Sequence, residues 1–397
     1  MTQARTVLSL EEYAPERFPR ERIPDLLGEA LWRNYRSQVN VEFPSPKTDG
    51  AWQLTAQGWV GHIPLAPGFG FALRPRIELD NLFHMLEYAY RLKSFCFLEG
   101  LIDCRSLEEF YERLANVLAR RVLERGRRGF YRAYLPEIDY LPYVRGRLDV
   151  RQMACKPWDV QLRCRYEEHT ADIEENQILL WTLSHIARSG MCTERVLPAV
   201  RRAYRALRGL VATRAFSPQD CIGRLYNRLN DDYQPLHALC RFFLEHSGPS
   251  HEMGDRTVLP FLVNMARLYE LFVAEWLKAH LPSDLSVKAQ EKVEIGADEA
   301  LFFTIDLVLC DAETGDVICV LDTKYKVDER PRAEDVTQVV AYAEVKRCRR
   351  AVLIYPQPFA IPLDEQVGSI RVQSMVFSLD GDIEEQGQRF LQQLSAI

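Results

Sequence analysis

Residues 301–327 read LFFTIDLVLCDAETGDVICVLDTKYKV. Two apolar runs flank DAETGD, an acidic, glycine-containing linker, and that pattern predicts a β-hairpin. Three charged residues interrupt the apolar runs: Asp306 within the first, Asp322 and Lys324 near the end of the second. Strand side chains alternate, so Asp322 and Lys324 point to the same side, and the hairpin brings Asp306 alongside them. Burying carboxylates among Ile, Leu and Val is costly unless something neutralises them, and a divalent cation does so. Mg²⁺ prefers oxygen ligands and commonly takes one or two carboxylates together with water and phosphate oxygens. Such an ion lowers the pKa of a bound water and stabilises charge on phosphate. Lys324 fits as the electrostatic partner that orients the water or stabilises the phosphorus centre. The plainer alternative is a surface ion pair between Asp322 and Lys324, with Asp306 facing a turn.

Two flanking segments extend the pattern. FLVNMARLYELFVAEWLKAHL, before the hairpin, is an amphipathic helix in which Glu270 lies toward the face that meets the sheet. Glu270 is therefore a candidate third carboxylate, acting directly or through water. After the hairpin, EDVTQVVAYAEVKRC is a short helix that sets Gln338 and Tyr342 on one face. Gln338 is a candidate contact for the scissile strand or a metal-bound water, whereas Tyr342 reads as core.

The rest of the 397-residue chain reads as an α+β or α/β protein of several domains. Residues 50–79 alternate polar and apolar and carry many turn residues, which predicts short strands. Residues 80–125 turn helical, with Leu82, Met85, Leu86 and Ala89 on one face. Strands follow around Arg147–Met153 and Val160–Tyr166, and residues 173–246 are again helical. One helix there carries Leu197, Val200, Tyr204, Leu207 and Val211 on its apolar face. Its other face bears Arg201, Arg202, Arg205 and Arg208, either a solvated surface or a phosphate-contacting stripe. The polar break HSGPSHEMGDRT places a boundary near residue 250. The expected division is a β-rich domain over 1–165, a helical segment over 166–250 and a catalytic core over 251–397, built on a central mixed sheet flanked by helices.

Composition excludes several classes. The ten cysteines form no CxxC pair, so a zinc site is not expected. No apolar run reaches the length needed to cross a bilayer, and the first residues lack the features of a signal peptide, so a cytoplasmic protein is expected. The formal net charge of −6 argues against a free-standing, tight DNA binder, but not against a local basic surface or delivery by a partner. No G-x-x-x-x-G-K-[ST] loop is present, and the glycines of PGFGFAL signal a turn, so the chain is not expected to bind nucleotide itself.

These residues, in this order, resemble the McrC family, the nuclease subunit of the McrBC 5-methylcytosine restriction system, and with it the PD-(D/E)xK endonucleases. The resemblance extends over most of the chain. GWVGHIPLAPGFGFALRPRI is similar to the family's V-G-x-I and P-[KR]-I elements, and NLFHMLEYAYRL to its next helix. YLPYVRGRLDV, RYEEHTADIEENQILLWTL and NMARLYELFV resemble its R-G-R-[IL]-D segment, its E-N stretch and the helix bearing the nuclease glutamate. The resemblance implies Asp306, Asp322 and Lys324 as catalytic positions, with Glu270 and Gln338 in support. The usual Pro-Asp is Ile305–Asp306 here. It further implies Mg²⁺ as cofactor, double-stranded DNA carrying methylated cytosine as substrate, and a McrB-like AAA+ GTPase hexamer that the N-terminal region docks on and stimulates. Pairing of two copies through that complex would allow both strands to be cut. Trp59, Arg74 and Arg76 are candidate motor contacts, unless the arginines merely decorate a strand. Arg145 and Arg147 are expected to pair with Asp149 or nearby carboxylates. Two other functions fit the same residues: a repair or recombination nuclease without a motor, or an adaptor that chiefly activates an AAA+ NTPase.

Overall fold

The computed structural model describes residues 6–66, 68–92, 106–151, 160–247, 251–253, 256–258, 260–295, 301–325 and 330–395. Parts of the expected 80–125 helical stretch, of the Arg147–Met153 strand and of the break near residue 250 lie outside the described residues. The chain forms a mixed α and β structure of two compact units, one made of residues 1–110 and 248–397, the other of residues 111–247.

The first part of the larger unit contains β1 (Thr6–Glu11), β2 (Pro15–Phe18), α1 (Asp25–Tyr35), β3 (Val39–Glu42), β4 (Trp52–Ala56), β5 (Trp59–Ala66), β6 (Phe69–Arg74) and α2 (Leu79–Ala89). β6 pairs parallel with β1 and antiparallel with β5, while β4 is sandwiched between β2 and β3 in a separate small sheet. Alternating apolar residues give this region a continuous core that includes Leu10, Leu31, Trp52, Ile63 and Phe71.

The unit 111–247 holds most of α3 (Leu107–Arg128), then β7 (Ala133–Leu141), β8 (Arg147–Leu148), β9 (Leu162–Thr170), α4 (Glu174–Ser189), α5 (Leu197–Arg208) and α6 (Tyr233–Glu245). β9 lies between β7 and β8, antiparallel to both. Buried Asn176 fastens the start of α4: its Nδ2 donates to the carbonyls of Ala171 (2.7 Å) and Tyr131 (2.9 Å), and its Oδ1 accepts from the Tyr233 hydroxyl (2.7 Å). α5 buries Val200, Ala203 and Leu207 and leaves Arg201, Arg202, Arg205 and Arg208 exposed.

The chain then returns to the larger unit through a short hairpin of β10 (His251–Met253) and β11 (Arg256–Val258), followed by β12 (Phe261–Asn264). β12 pairs with β5, where Leu262 lies opposite Gly61. A Cβ on Gly61 would stand 2.1 Å from the Phe261 carbonyl oxygen, and its φ is +134°, so only glycine permits this pairing. α7 (Met265–His280) starts directly after, capped by the Asn264 side chain, which accepts from Arg267 N at 3.1 Å.

Next come β13 (Leu285–Ile295), β14 (Leu301–Asp311), β15 (Val317–Thr323), α8 (Ala333–Val345), β16 (Arg350–Tyr355), β17 (Asp364–Val367), β18 (Ile370–Val376) and α9 (Ile383–Leu394). The six strands form one mixed sheet in the order β13-β14-β15-β16-β18-β17. β13, β14 and β15 are antiparallel neighbours, β16 and β18 continue parallel to β15, and β17 closes the edge antiparallel. Val339, Tyr342 and Ala343 of α8 share a core with Val308, Val320, Ala351 and Val372 of the sheet. α9 packs against α7 so closely that a Cβ on Gly387 would meet the Trp276 ring at 2.2 Å.

Candidate active site

The β14–β15 hairpin forms as its sequence dictates, with Val308 opposite Val320 and Leu307 opposite Leu321. Both acidic residues follow the parity of Val308 and Val320, so their side chains lie on the face that α8 covers. The described ladder stops at Leu307 and Leu321. Beyond it, the Asp306 carboxylate takes over the role of a backbone acceptor: its Oδ2 accepts from Thr323 N and from Thr323 Oγ1, each at 3.1 Å.

Asp322 is 1% exposed, so its pairing with Lys324 is no surface ion pair. Lys324 Nζ lies 2.7 Å from Asp322 Oδ2 and donates to Gln338 Oε1 at 2.9 Å. Gln338 Nε2 in turn donates to the Tyr342 hydroxyl at 2.6 Å. A line of polar groups thus runs from the second strand onto one face of α8, and Tyr342, itself core, fixes which way the Gln338 amide points. Asp322 Oδ1 is buried without a hydrogen-bond partner among the described residues. An orphaned buried carboxylate oxygen is expensive in a chain that has not left room for a ligand there.

Glu270 comes from α7, with its side chain mostly buried. Its Oε1 lies 3.5 Å from Arg267 Nη1 and accepts a hydrogen bond from Gln290 Nε2. Burial, with Asp306 and Asp322 nearby, pushes Glu270 up to about 7. Burial and the Asp306 charge likewise push Asp322 up to about 7, against the pull of Lys324. Burial also raises Asp306, opposed by its bonds to Thr323 and by Lys324. Burial works against the Lys324 cation, yet Asp322 and Asp306 beside it hold it above its ordinary range. Three carboxylates whose pKa burial raises, answered by the Lys324 ammonium and the Arg267 guanidinium, form a site short of positive charge.

A divalent cation fits that deficit. Asp306 and Asp322 supply hard oxygen donors from adjacent strands, one of them unpartnered, and two carboxylates suffice for Mg²⁺ when water and phosphate complete the shell. No group of three His, Cys, Asp or Glu side chains among the described residues converges tightly enough to hold a metal by itself. Glu270 is held by Gln290 and Arg267.

Gln290 carries no mark in the sequence that sets it apart. It sits inside β13 between Ala289 and Glu291, which pair with Leu307 and Ile305, so it lies across from Asp306. Its φ is +54°, the left-handed region that β-strands avoid. Strained backbone of this kind tends to mark functional positions. A glycine there would have flagged the kink, but glutamine does not.

The residues singled out nearer the N-terminus are more ordinary. Trp59 packs against the N-terminal core. Arg74 ends β6, exposed, and Arg76 lies next to buried Glu12, lowering the pKa of that carboxyl, which burial nonetheless lifts to about 7. Arg145 lies 3.9 Å from Glu168 and 3.8 Å over the Tyr166 ring, whereas Asp149 pairs with Arg163 at 2.9 Å and Arg165 at 3.6 Å. Asp149 is thus taken by arginines other than Arg145 and Arg147. The seven described cysteines are all free and buried, and no described helix is long and apolar enough to cross a membrane.

Residues 54–356 match the family model described as the McrBC 5-methylcytosine restriction system component. The chain is 22% identical over 264 residues to the type IV methyl-directed restriction enzyme EcoKMcrBC of Escherichia coli K12, an alignment spanning 64% of this chain and 74% of that protein. It also resembles a chain in the half-complex of Thermococcus gammatolerans McrB AAA+ hexamers with bound McrC, at a TM-score of 0.55 and 17% identity, covering 98% of this chain and 100% of that one.

Proposed function

The chain belongs to the family of McrBC 5-methylcytosine restriction system components, and from that we propose that it is the nuclease subunit of such a system, hydrolysing DNA phosphodiester bonds with Mg²⁺ at a PD-(D/E)xK site. The observation that carries this reading is Asp322 beside Asp306: its Oδ2 is ion-paired to Lys324, and its buried Oδ1 has no hydrogen-bond partner among the described residues. A structural ion pair has no need of an unsatisfied acceptor.

Asp306 and Asp322 would hold Mg²⁺, which supplies an acidified water and charge compensation on the phosphate. Lys324, kept cationic and aimed by Asp322 and Gln338, stabilises the negative charge that builds on the phosphoryl oxygens. Thr323 fixes the Asp306 carboxylate through two hydrogen bonds and so keeps its other oxygen available. Glu270, near enough to feel both aspartates, orients a water on the α7 side. Gln338, anchored by Tyr342, contacts Lys324 and limits where the scissile strand can lie.

The neighbour in complex with McrB AAA+ hexamers supports a motor of that kind as the partner, one that would read methylated cytosine and bring two copies of this chain to a duplex. The test is cleavage of methylated and unmethylated plasmid with Mg²⁺ and GTP, by this protein with and without its genomic AAA+ neighbour, beside Asp322→Ala. Cutting that requires the neighbour, methylation and Asp322 is the expected result. Cutting by the chain alone would assign a stand-alone nuclease, and NTPase stimulation without any cutting would assign an adaptor.

A further inference from the structure

The unit 111–247 contains a cleft of about 390 Å³ lined by Arg127, Arg132 and Arg202 together with Leu123, Phe130 and Leu210. It opens where the end of α3, the approach to β7 and the outer face of α5 converge. We propose that this cleft and the adjoining arginine face of α5 bind the phosphate backbone of DNA, a second contact for the substrate of the nuclease reading above, on which the choice of ligand rests.

All three arginines are exposed, and none has a carboxylate partner among the described residues. No acidic residue lines the cleft among the described residues. Several other arginines of the same unit are answered: Arg125 by Asp232, Arg163 by Asp149, Arg224 by Glu174 and Glu175, Arg241 by Glu245. Arg127 and Arg128 end α3, where cations suit the negative end of a helix. That does not account for Arg132 and Arg202, which reach the same cleft from other elements. Exposed Arg201 and Arg205 extend the charge along α5, which suits several phosphates in a row better than one small anion. Phe130 and Leu210 supply apolar surface between the cations, for sugar and base edges.

Charge is also divided unevenly. Residues 111–247 carry 23 Lys and Arg against 16 Asp and Glu, a net of +7, and the rest of the chain carries 27 against 40, a net of −13. The unit that holds the candidate active site is thus net acidic, and net charge favours the other unit as a source of phosphate affinity. The acidic total of the whole chain conceals a basic unit.

The experiment is fluorescence anisotropy of a labelled DNA duplex with the full chain across a salt series, in the Asp322→Ala background so that cleavage does not intervene. Arg127→Gln, Arg132→Gln and Arg202→Gln combined should weaken binding by ~10-fold or more and reduce the slope of log affinity on log salt by about three, near one per lost phosphate contact. Arg17→Gln, on the larger unit, should change neither. The triple variant must unfold at the parent's temperature; if it does not, Arg202→Gln alone, on the exposed face of α5, should still lower the slope by about one. Unchanged affinity and slope in a folded variant would overturn the proposal. So would intact duplex binding with lost stimulation of the partner's NTPase, which would assign the surface to an acidic protein, or displacement of the duplex from this site by GTP alone. The nuclease reading fails separately, if Asp322→Ala cuts as the parent does.

Discussion

The two units handle charge in opposite ways. In the larger unit, Asp306, Asp322 and Glu270 are drawn out of water around Lys324, and one carboxylate oxygen is left without a partner among the described residues. In the unit 111–247, arginines stand in water around an open cleft, and several have no counter-charge among the described residues. Buried charge is costly unless it is compensated, so a ligand can be argued from a single orphaned atom. Exposed charge costs little, so a ligand must be argued from convergence and net balance. The first arrangement suits chemistry on one phosphate, and the second suits loose contact with many.

The contrast is broken most directly at the buried site. Asp306→Ala, Asp322→Ala and Lys324→Ala should each lower Mg²⁺-dependent cleavage by on the order of 10³-fold, because each removes a group aimed at charge that develops in the transition state. NTPase stimulation of the partner should persist. Single-turnover cleavage beside an NTPase assay checks both, and normal cutting by any of the three variants would remove that residue from the site.

A weaker but more diagnostic effect concerns pH. Asp322 and Glu270 are both pushed up to about 7, above the ordinary carboxylate range. The folded state then binds their protons more tightly than the unfolded chain does. Without metal, the stability tied to those protons is complete below the ordinary carboxylate range and is lost as pH rises through about 7. The metal-free protein should therefore unfold at a lower temperature in mildly alkaline than in mildly acidic buffer. Asp322→Asn and Glu270→Gln should each flatten that decline. Mg²⁺ should recover stability mainly on the alkaline side, since it replaces the proton as counter-charge. Glu12 is an internal control: burial also lifts it to about 7, but its partner is the Tyr325 hydroxyl at 3.1 Å. Glu12→Gln should flatten the decline and leave the Mg²⁺ response as it was. A Mg²⁺ response equal at both pH values in calorimetric unfolding would contradict the proposed donor set.

How much of this was legible in the sequence follows from the range of each interaction. The hairpin, the shared side of Asp322 and Lys324, and the single face of Gln338 and Tyr342 rest on strand and helix periodicity over a few residues, and the structure brings them together as that periodicity requires. The approach of α7, which brings Glu270 near, was suggested by its amphipathic pattern. The contact of Glu12 with Tyr325 joins residues too far apart for any local pattern. So does the β5–β12 pairing that Gly61 permits, and with it the chain's return to the larger unit after residue 247. The arginine face of α5 could be read from its spacing. Its convergence with Arg127 and Arg132 could not, because three separate elements build the cleft.

Gln290 offers the smallest effect and the finest test of the buried site. Its side chain donates to Glu270, and its own backbone is held at φ +54° across from Asp306. If the kink serves only to bend the strand, Gln290→Gly should stabilise the protein, since glycine adopts that conformation without strain, and leave Mg²⁺ binding alone. If the kink exists to hold Glu270, the same variant should be as stable or more so, yet bind Mg²⁺ or cleave more weakly by roughly 10- to 100-fold, the usual cost of losing a residue that orients a metal site from behind. Gln290→Asn separates the two demands, because asparagine tolerates the left-handed region but is one methylene shorter. It should keep the stability of the parent and lose most of the Mg²⁺ affinity that Gln290→Gly loses. Calorimetric titration with Mg²⁺, beside thermal unfolding of the same samples, measures both quantities, and Mg²⁺ affinity equal to the parent's in both variants would leave Gln290 a purely structural residue.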